Sequence, residues 1–110
     1  MRLQGKCALI TGAARGIGFE FARAYIAEGA QVTLADINGE AVAQAAASLG
    51  PQAHAVQMDV TDQASIDAGF AQAIGAMGKL DILVNNAALF TAAPIAEITR
   101  ADYVRIFAVN

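Results

Sequence analysis

The sequence has no tryptophan, one histidine, one cysteine and two prolines among its 110 residues. A lone thiol, Cys7, excludes an internal disulfide, and Cys7 with His54 is too small a set for a Cys/His metal centre. No metal site is therefore expected. Seven basic residues stand against ten acidic ones, for a net charge of −3. A nucleic-acid binder would carry a basic face, and this chain has none. No apolar run approaches the roughly 18 residues that a membrane-spanning helix requires. The opening Met-Arg-Leu-Gln-Gly-Lys has no apolar stretch of the secretory kind, so a cytoplasmic protein without a targeting segment is expected.

Charge is scarce as well. Charged residues make up 15% of the chain and hydrophobic ones 56%, which excludes intrinsic disorder. A domain this small exposes much of its surface and would normally carry more charge. The composition thus predicts part of a larger buried core. Phe107-Ala108-Val109-Asn110, the last residues, fall inside an amphipathic helical pattern.

What is present is a rhythm of short apolar runs alternating with longer helical patterns. Cys7 to Thr11 reads as a strand buried on both faces, ending in a glycine-rich turn. From Gly16 the period becomes helical, with Ile17, Phe21 and Tyr25 as a stripe that Ala22 and Ile26 widen, and Gly29 at its end. Gln31 to Asp36 is a second strand. Asn38 can cap a helix to about Leu49, which Gly50-Pro51 ends. Ala53 to Met58 is a third strand. Thr61 is the expected cap of a helix carrying Ile66, Phe70, Ile74 and Met77 on one stripe, stopped by Gly78. Leu80 to Val84 is a fourth strand, followed by a loop of small residues from Asn85 to Pro94. Thr99 and Asp102 have capping-box spacing for a last helix with Tyr103, Ile106 and Phe107. Strands alternating with helices predict an α/β fold, a Rossmann-like doubly wound parallel sheet with strand order 3-2-1-4. The composition adds that its three-layer α/β/α domain is incomplete.

The chemistry concentrates where strands end. Thr11 to Gly18 links the first strand to the first helix. Gly12 permits a tight turn, Gly16 lets backbone approach a pyrophosphate, and Gly18 lets the helix pack closely. Free N–H groups at the helix start favour an anion. The plainer alternative is a glycine turn that only links strand to helix. Asp36 ends the second strand and can accept hydrogen bonds from ribose hydroxyls, which favours NAD over NADP because a 2′-phosphate would be repelled. Arg15 pulls the other way, since a guanidinium can meet that phosphate. Asp59-Val60 reads either as a carboxylate on an adenine amino group with valine against the ring, or as an Asx turn with a core valine. Asn85 and Asn86 can tie the loop to neighbouring strands, or form a plain turn. Tyr25 and Tyr103 read as helix-face packing residues, Cys7 as a small buried hydrophobe, and His54 as a partly exposed strand residue without a partner.

Together the Thr11–Gly18 turn, Asp36, Asp59-Val60 and the Asn85-Asn86-Ala87-Ala88 run resemble the short-chain dehydrogenase/reductase family. The resemblance covers essentially the whole chain but only the N-terminal half of such a member. The stretch from Asn85 to Phe90, with Pro94-Ile95 and Ile98-Thr99-Arg100, is most similar to bacterial polyol dehydrogenases of the sorbitol and galactitol type. The resemblance implies NAD as cofactor and a secondary alcohol or polyol as substrate. It implies contacts to NAD from Thr11, Gly12, Arg15, Gly16, Ile17 and Gly18 in the turn. Asp36, Ile37, Asp59 and Val60 would follow on the next strands, then Asn86, Ala87 and Ala88. The family usually has glycine where this chain has Ala88, a departure expected to leave the fold intact and to narrow the space near the ribose and nicotinamide. Catalysis in the family uses an Asn-Ser-Tyr-Lys set, of which Asn110 alone matches here. Tyr25 is followed four residues later by Gly29 and Tyr103 by Phe107, so neither forms the Tyr-x-x-x-Lys pair. Neither Ser48 nor Ser65 lies beyond the fourth strand. These 110 residues are thus expected to be inactive alone, as the cofactor-binding half of a homo-oligomeric enzyme. The alternative is a non-catalytic dinucleotide-binding module.

Overall fold

The structure, a computed structural model, describes residues 2–86. The strands are β1 (Cys7–Thr11), β2 (Gln31–Asp36), β3 (Ala53–Gln57) and β4 (Ile82–Val84); the helices are α1 (Gly16–Ala27), α2 (Gly39–Leu49) and α3 (Gln63–Met77). All pairings are parallel, and the sheet order is β3-β2-β1-β4. The expected Rossmann-like order is the one observed. The last expected helix, with Thr99, Asp102 and Tyr103, lies outside the described residues. Among the described residues no helix is long and apolar enough to cross a membrane.

β1 is buried along its whole length, as a central parallel strand should be. Its side chains alternate between two apolar clusters. Ala8 and Ile10 join Val32, Leu34, Ala22 of α1 and Val42, Ala45 and Ala46 of α2. Cys7 and Leu9 join Ala35, Val56, Leu83 and Ala73 and Met77 of α3. Two helices therefore cover one face and α3 the other. Leu9, Ile10 and Leu34 are fully buried, each contributing about 1.5–3 kcal/mol of transfer free energy. Tyr25 packs on the margin of the first cluster, and Cys7 is buried as expected. Burial pushes the Cys7 thiol pKa up, partly offset by Lys79.

Several expectations need correction. In α1 the face turned inward is Gly18 and Ala22, while Ile17 and Phe21 are 65% and 42% exposed. In α3 it is Ile66, Gly69, Ala73 and Met77, with Ile74 exposed and Phe70 half-buried. Both helices turn small residues inward, Gly18 and Ala22 in α1 and Gly69 and Ala73 in α3, the latter pair between Ile66 and Met77. A Cβ on Gly69 would fall against Met58 Cε and 3.3 Å from Val56 Cγ1. α3 comes close at Gly69, which turns Ile74 off the seam while Ile66 and Met77 stay on it. The cap of α3 is Asp62, whose side chain accepts from Ala64 N, and not Thr61. Thr61 is drawn back instead, donating through its amide and hydroxyl to Asp59 Oδ1 at 2.9 and 2.6 Å. β3 ends at Gln57, one residue before Met58, although Met58 N still donates to Asp36 O at 2.9 Å. β4 starts at Ile82 rather than Leu80. Asp81 takes the end of β1 into a local pair: Cys7 N donates to Asp81 Oδ2 at 2.9 Å, and Asp81 N donates to Cys7 O at 2.8 Å. His54 has a partner after all, with Nε2 3.2 Å from Gln31 Oε1 on the adjacent strand.

Candidate functional site: a glycine turn and two strand ends

Parallel strands put their C-terminal ends on one edge of the sheet. Thr11, Asp36, Asp59 and Asn86 therefore share that edge, at or just beyond the ends of β1, β2, β3 and β4. The turn after β1 needs glycine twice: Gly12 has φ +64° and Gly16 +66°, where a side chain is strained. Nothing lies within 4 Å of the place a Gly16 Cβ would take, so the backbone there is open to approach.

Gly18 acts differently from the expected helix-on-sheet contact. A Cβ at Gly18 would fall against the Gly12 carbonyl oxygen and 2.9 Å from Asn86 Nδ2. It is the turn itself, and the second residue after β4, that the start of α1 approaches. Asn86 fills the role expected of it in tying the loop to its neighbours. Its Nδ2 donates to Gly12 O at 3.2 Å, and its backbone N donates to Thr11 Oγ1 at 2.9 Å. The Thr11 hydroxyl in turn lies 3.2 Å from Asn85 Oδ1 and 3.4 Å from Val84 O. Thr11 thus stitches β1 to the end of β4.

α1 starts without a side-chain cap. Arg15 occupies the N-cap position in extended conformation, its side chain makes no capping bond, and no acidic residue sits in the first turn. The first N–H groups of α1 remain available to a ligand. Arg15 is exposed, and with Ala14 and Gly16 it borders an open pocket of about 470 Å³ between α1 and α2.

Asp36 is half-buried and its two oxygens reach opposite ways. Oδ2 accepts from Ala14 N in the glycine turn, and Oδ1 from Asn38 N at the start of α2, both at 3.1 Å. Ile37, between them, is 62% exposed, and its carbonyl accepts from Gln57 Nε2 at 3.1 Å. At the end of β3, Asp59 forms the Asx turn that was one of its two readings, and Val60 packs partly buried against the α3-side cluster. The Thr61 hydroxyl, then its amide, hold the Asp59 carboxyl below the usual range. Asp59 N donates to Ser65 Oγ at 2.8 Å, which anchors that turn to α3.

Sequence reasoning missed Gln57, Thr61 and Ser65. Asp59-x-Thr61 is a recognisable Asx spacing, whereas the Gln57–Ile37 and Ser65–Asp59 bonds depend on how elements meet. Ala87, Ala88 and Asn110 lie outside the described residues.

Residues 6–110 match the family model described as short chain dehydrogenase. The chain is 62% identical over 110 residues to sorbitol dehydrogenase of Cereibacter sphaeroides, covering all of this chain and 43% of that protein. It is 54% identical to galactitol 2-dehydrogenase of Agrobacterium fabrum, with the same coverage of each. Among solved structures it is similar to 3-ketoacyl-(acyl-carrier-protein) reductase from Brucella melitensis complexed with NADH. There the TM-score is 0.73 at 33% identity, over 97% of this chain and 44% of that one. The chain thus spans less than half the length of these relatives. With a family match over nearly its whole length and the parallel 3-2-1-4 sheet, this chain belongs to the short-chain dehydrogenase family.

Proposed function

We propose that these 110 residues are the cofactor-holding part of an NAD-dependent dehydrogenase that acts on a secondary alcohol or polyol of the sorbitol type. The observation that carries this reading is the uncapped start of α1, lying beside a carboxylate that reaches the same turn. The open N–H groups and the bare Gly16 backbone suit a pyrophosphate. Asp36 suits the adenosine ribose, because each carboxylate oxygen that accepts one backbone amide retains a second lone pair. Its negative charge opposes a 2′-phosphate more strongly than the exposed Arg15 attracts one, so NAD is preferred to NADP.

Ile37, Asp59 and Val60 line the adenine side in this reading, with one Asp59 oxygen taken by Thr61 and the other facing the ligand. Thr11, Gly12, Gly18 and Asn86 set the turn, Ile17 and Arg15 stand exposed at its rim, and Ala87 and Ala88, next in sequence, are further NAD contacts by the family resemblance. NAD, when bound, supplies the acceptor for a hydride from the substrate's carbinol carbon. Asn110 is the one member of the family's catalytic set in the sequence, and the serine, tyrosine and lysine would come from outside these 110 residues. The same reading makes the protein a cytoplasmic homo-oligomer. The similarity to sorbitol and galactitol dehydrogenases supports the substrate class.

The test is NADH formation from sorbitol, galactitol and simple secondary alcohols by the protein carrying this chain, with NAD and NADP compared. Turnover preferring NAD is expected. Preference for NADP would overturn the cofactor assignment, and tight NAD binding with no turnover of any alcohol would favour a non-catalytic module.

A further inference from the structure

We propose that Asp36 is also a positioning residue for the glycine turn, so that one carboxylate both meets the ribose and aims the backbone that meets the pyrophosphate. The proposal rests on the reading above, in which this edge holds NAD. Two bonds tie residues 13 and 14 to the end of β2. Ala13 N donates to the backbone oxygen of Ala35 at 3.1 Å, and Ala14 N donates to Asp36 Oδ2 at 3.1 Å. Only the second depends on a side chain. It lies next to Arg15, the N-cap position of α1, and so sets where the open N–H groups point.

The other oxygen extends the same control to the second helix. Asp36 Oδ1 holds Asn38 N, and the Asn38 side chain caps α2 by accepting from Ala41 N at 3.0 Å. Asp36 itself is fixed from the residue after β3, since Met58 N donates to its carbonyl at 2.9 Å. The carboxylate is therefore a bridge between two helix starts, held by bonds within the protein. An alanine would leave Ala14 N without this acceptor. An asparagine would keep the shape but turn an NH₂ donor toward one of two N–H donors.

The two roles separate with an NAD analogue whose adenosine ribose lacks both hydroxyls, 2′,3′-dideoxyadenosine NAD. A carboxylate that serves only the ribose has nothing to lose with this analogue. A carboxylate that aims the turn still does. In the protein carrying this chain, Asp36→Ala is expected to weaken binding of the dideoxy analogue at least fivefold. KM for the analogue should rise by a similar factor while kcat stays within twofold, because the folded, competent fraction is unchanged. Asp36→Asn, which preserves volume, should reproduce the loss and carries the test on the same criterion if the alanine protein does not fold. Equal affinity of wild type and both variants for the analogue, with NAD itself still weakened, would overturn the positioning role and leave the functional reading standing. A fall in kcat with unchanged KM would also overturn it, as the mark of general damage. Failure of the wild type to bind NAD at all would overturn the functional reading, and the proposal with it.

Discussion

Three helices begin at the same edge of the sheet, and they begin in two ways. α2 and α3 are closed by their own side chains: Asn38 accepts from Ala41 N, with Glu40 in the first turn, and Asp62 accepts from Ala64 N. α1 has neither cap nor acid, and an arginine stands where the cap would be. Each N-cap bond is worth about 1 kcal/mol to a helix. Omitting it at α1 leaves a local deficit that an external anion can fill. The difference teaches that the starts of α2 and α3 serve stability, whereas that of α1 is kept open and made good by crossing bonds from Asn86 and Asp36 to the turn before it.

The largest expected effect comes from filling the space that keeps α1 close to its turn. Gly18→Val puts carbon against the Gly12 carbonyl and the Asn86 amide, neither of which can retreat without breaking the turn. Overpacking of this kind costs about 1–3 kcal/mol, and NAD affinity should fall more than tenfold with it. Gly75→Ala in α3 is the counterpart: nothing lies within 4 Å of the new Cβ. There the change should stabilise by about 0.5–1 kcal/mol and leave NAD binding alone. Urea melts and cofactor titration on both variants measure the contrast. Equal effects at the two glycines would remove the distinction between the helices.

Next is closing α1 artificially. Arg15 already has the extended backbone of a cap residue, with φ −160° and ψ 174°. Arg15→Asp should therefore cap α1 and place a negative charge where an anion is expected. Arg15→Ala removes the guanidinium without adding either. NAD affinity should fall at least tenfold further for aspartate than for alanine, while the aspartate protein melts at the same or a higher temperature. An aspartate variant that binds NAD as well as the alanine variant would show that the open helix start is not where the phosphates sit.

Opening the closed helices is the smaller, complementary change. Asn38→Ala and Asp62→Ala should each cost about 1 kcal/mol of stability. Neither should move the NAD dissociation constant by more than twofold. A loss of affinity as large as the loss of stability would mean that all three helix starts serve the ligand.

Much of this was legible in the residues. α2 was bounded correctly because Asn38 and Gly50-Pro51 carry their conformational preferences with them. The sheet order followed from alternation and chain connectivity. The glycine turn and the place of Asp36 at the end of β2 were legible because each is fixed within a few residues of a strand end. What escaped depends on how elements approach one another. Apolar periodicity pointed to Ile17 and Phe21, but Gly18 and Ala22 allow the closer contact and so take the buried face. The start of β4 was misplaced because Asp81 reaches Cys7, 74 positions away in sequence. The two candidate roles of Asp59 could not be ranked from Asp59-Val60, since Thr61 and Ser65 settle the turn's geometry from outside that pair.

Acid distinguishes the two edges of the sheet by the smallest effect. Asp81 lies at the N-terminal end of β1 and Asp59 at the opposite edge, just past β3. The Cys7 amide holds Asp81 below its ordinary value of 3.8, with help from Lys79 and against a smaller penalty from burial. Thr61 does the same for Asp59. A carboxyl whose pKa is lower folded than unfolded stabilises the fold when ionised. That contribution is complete well above the unfolded value and is lost as pH falls through the ordinary value toward the lower folded one. Urea midpoints of the protein carrying this chain should therefore be insensitive to these two groups between pH 6 and 7. They should decline below about pH 4, the ordinary aspartate range. Asp81→Asn and Asp59→Asn should each flatten part of that decline, Asp81→Asn with unchanged NAD affinity because it lies at the edge away from the glycine turn. Asp59→Asn should flatten the decline and also weaken NAD, since its remaining oxygen faces the adenine in the proposed site. An Asp81→Asn protein that loses NAD affinity to the same degree would show that the two edges are not separable.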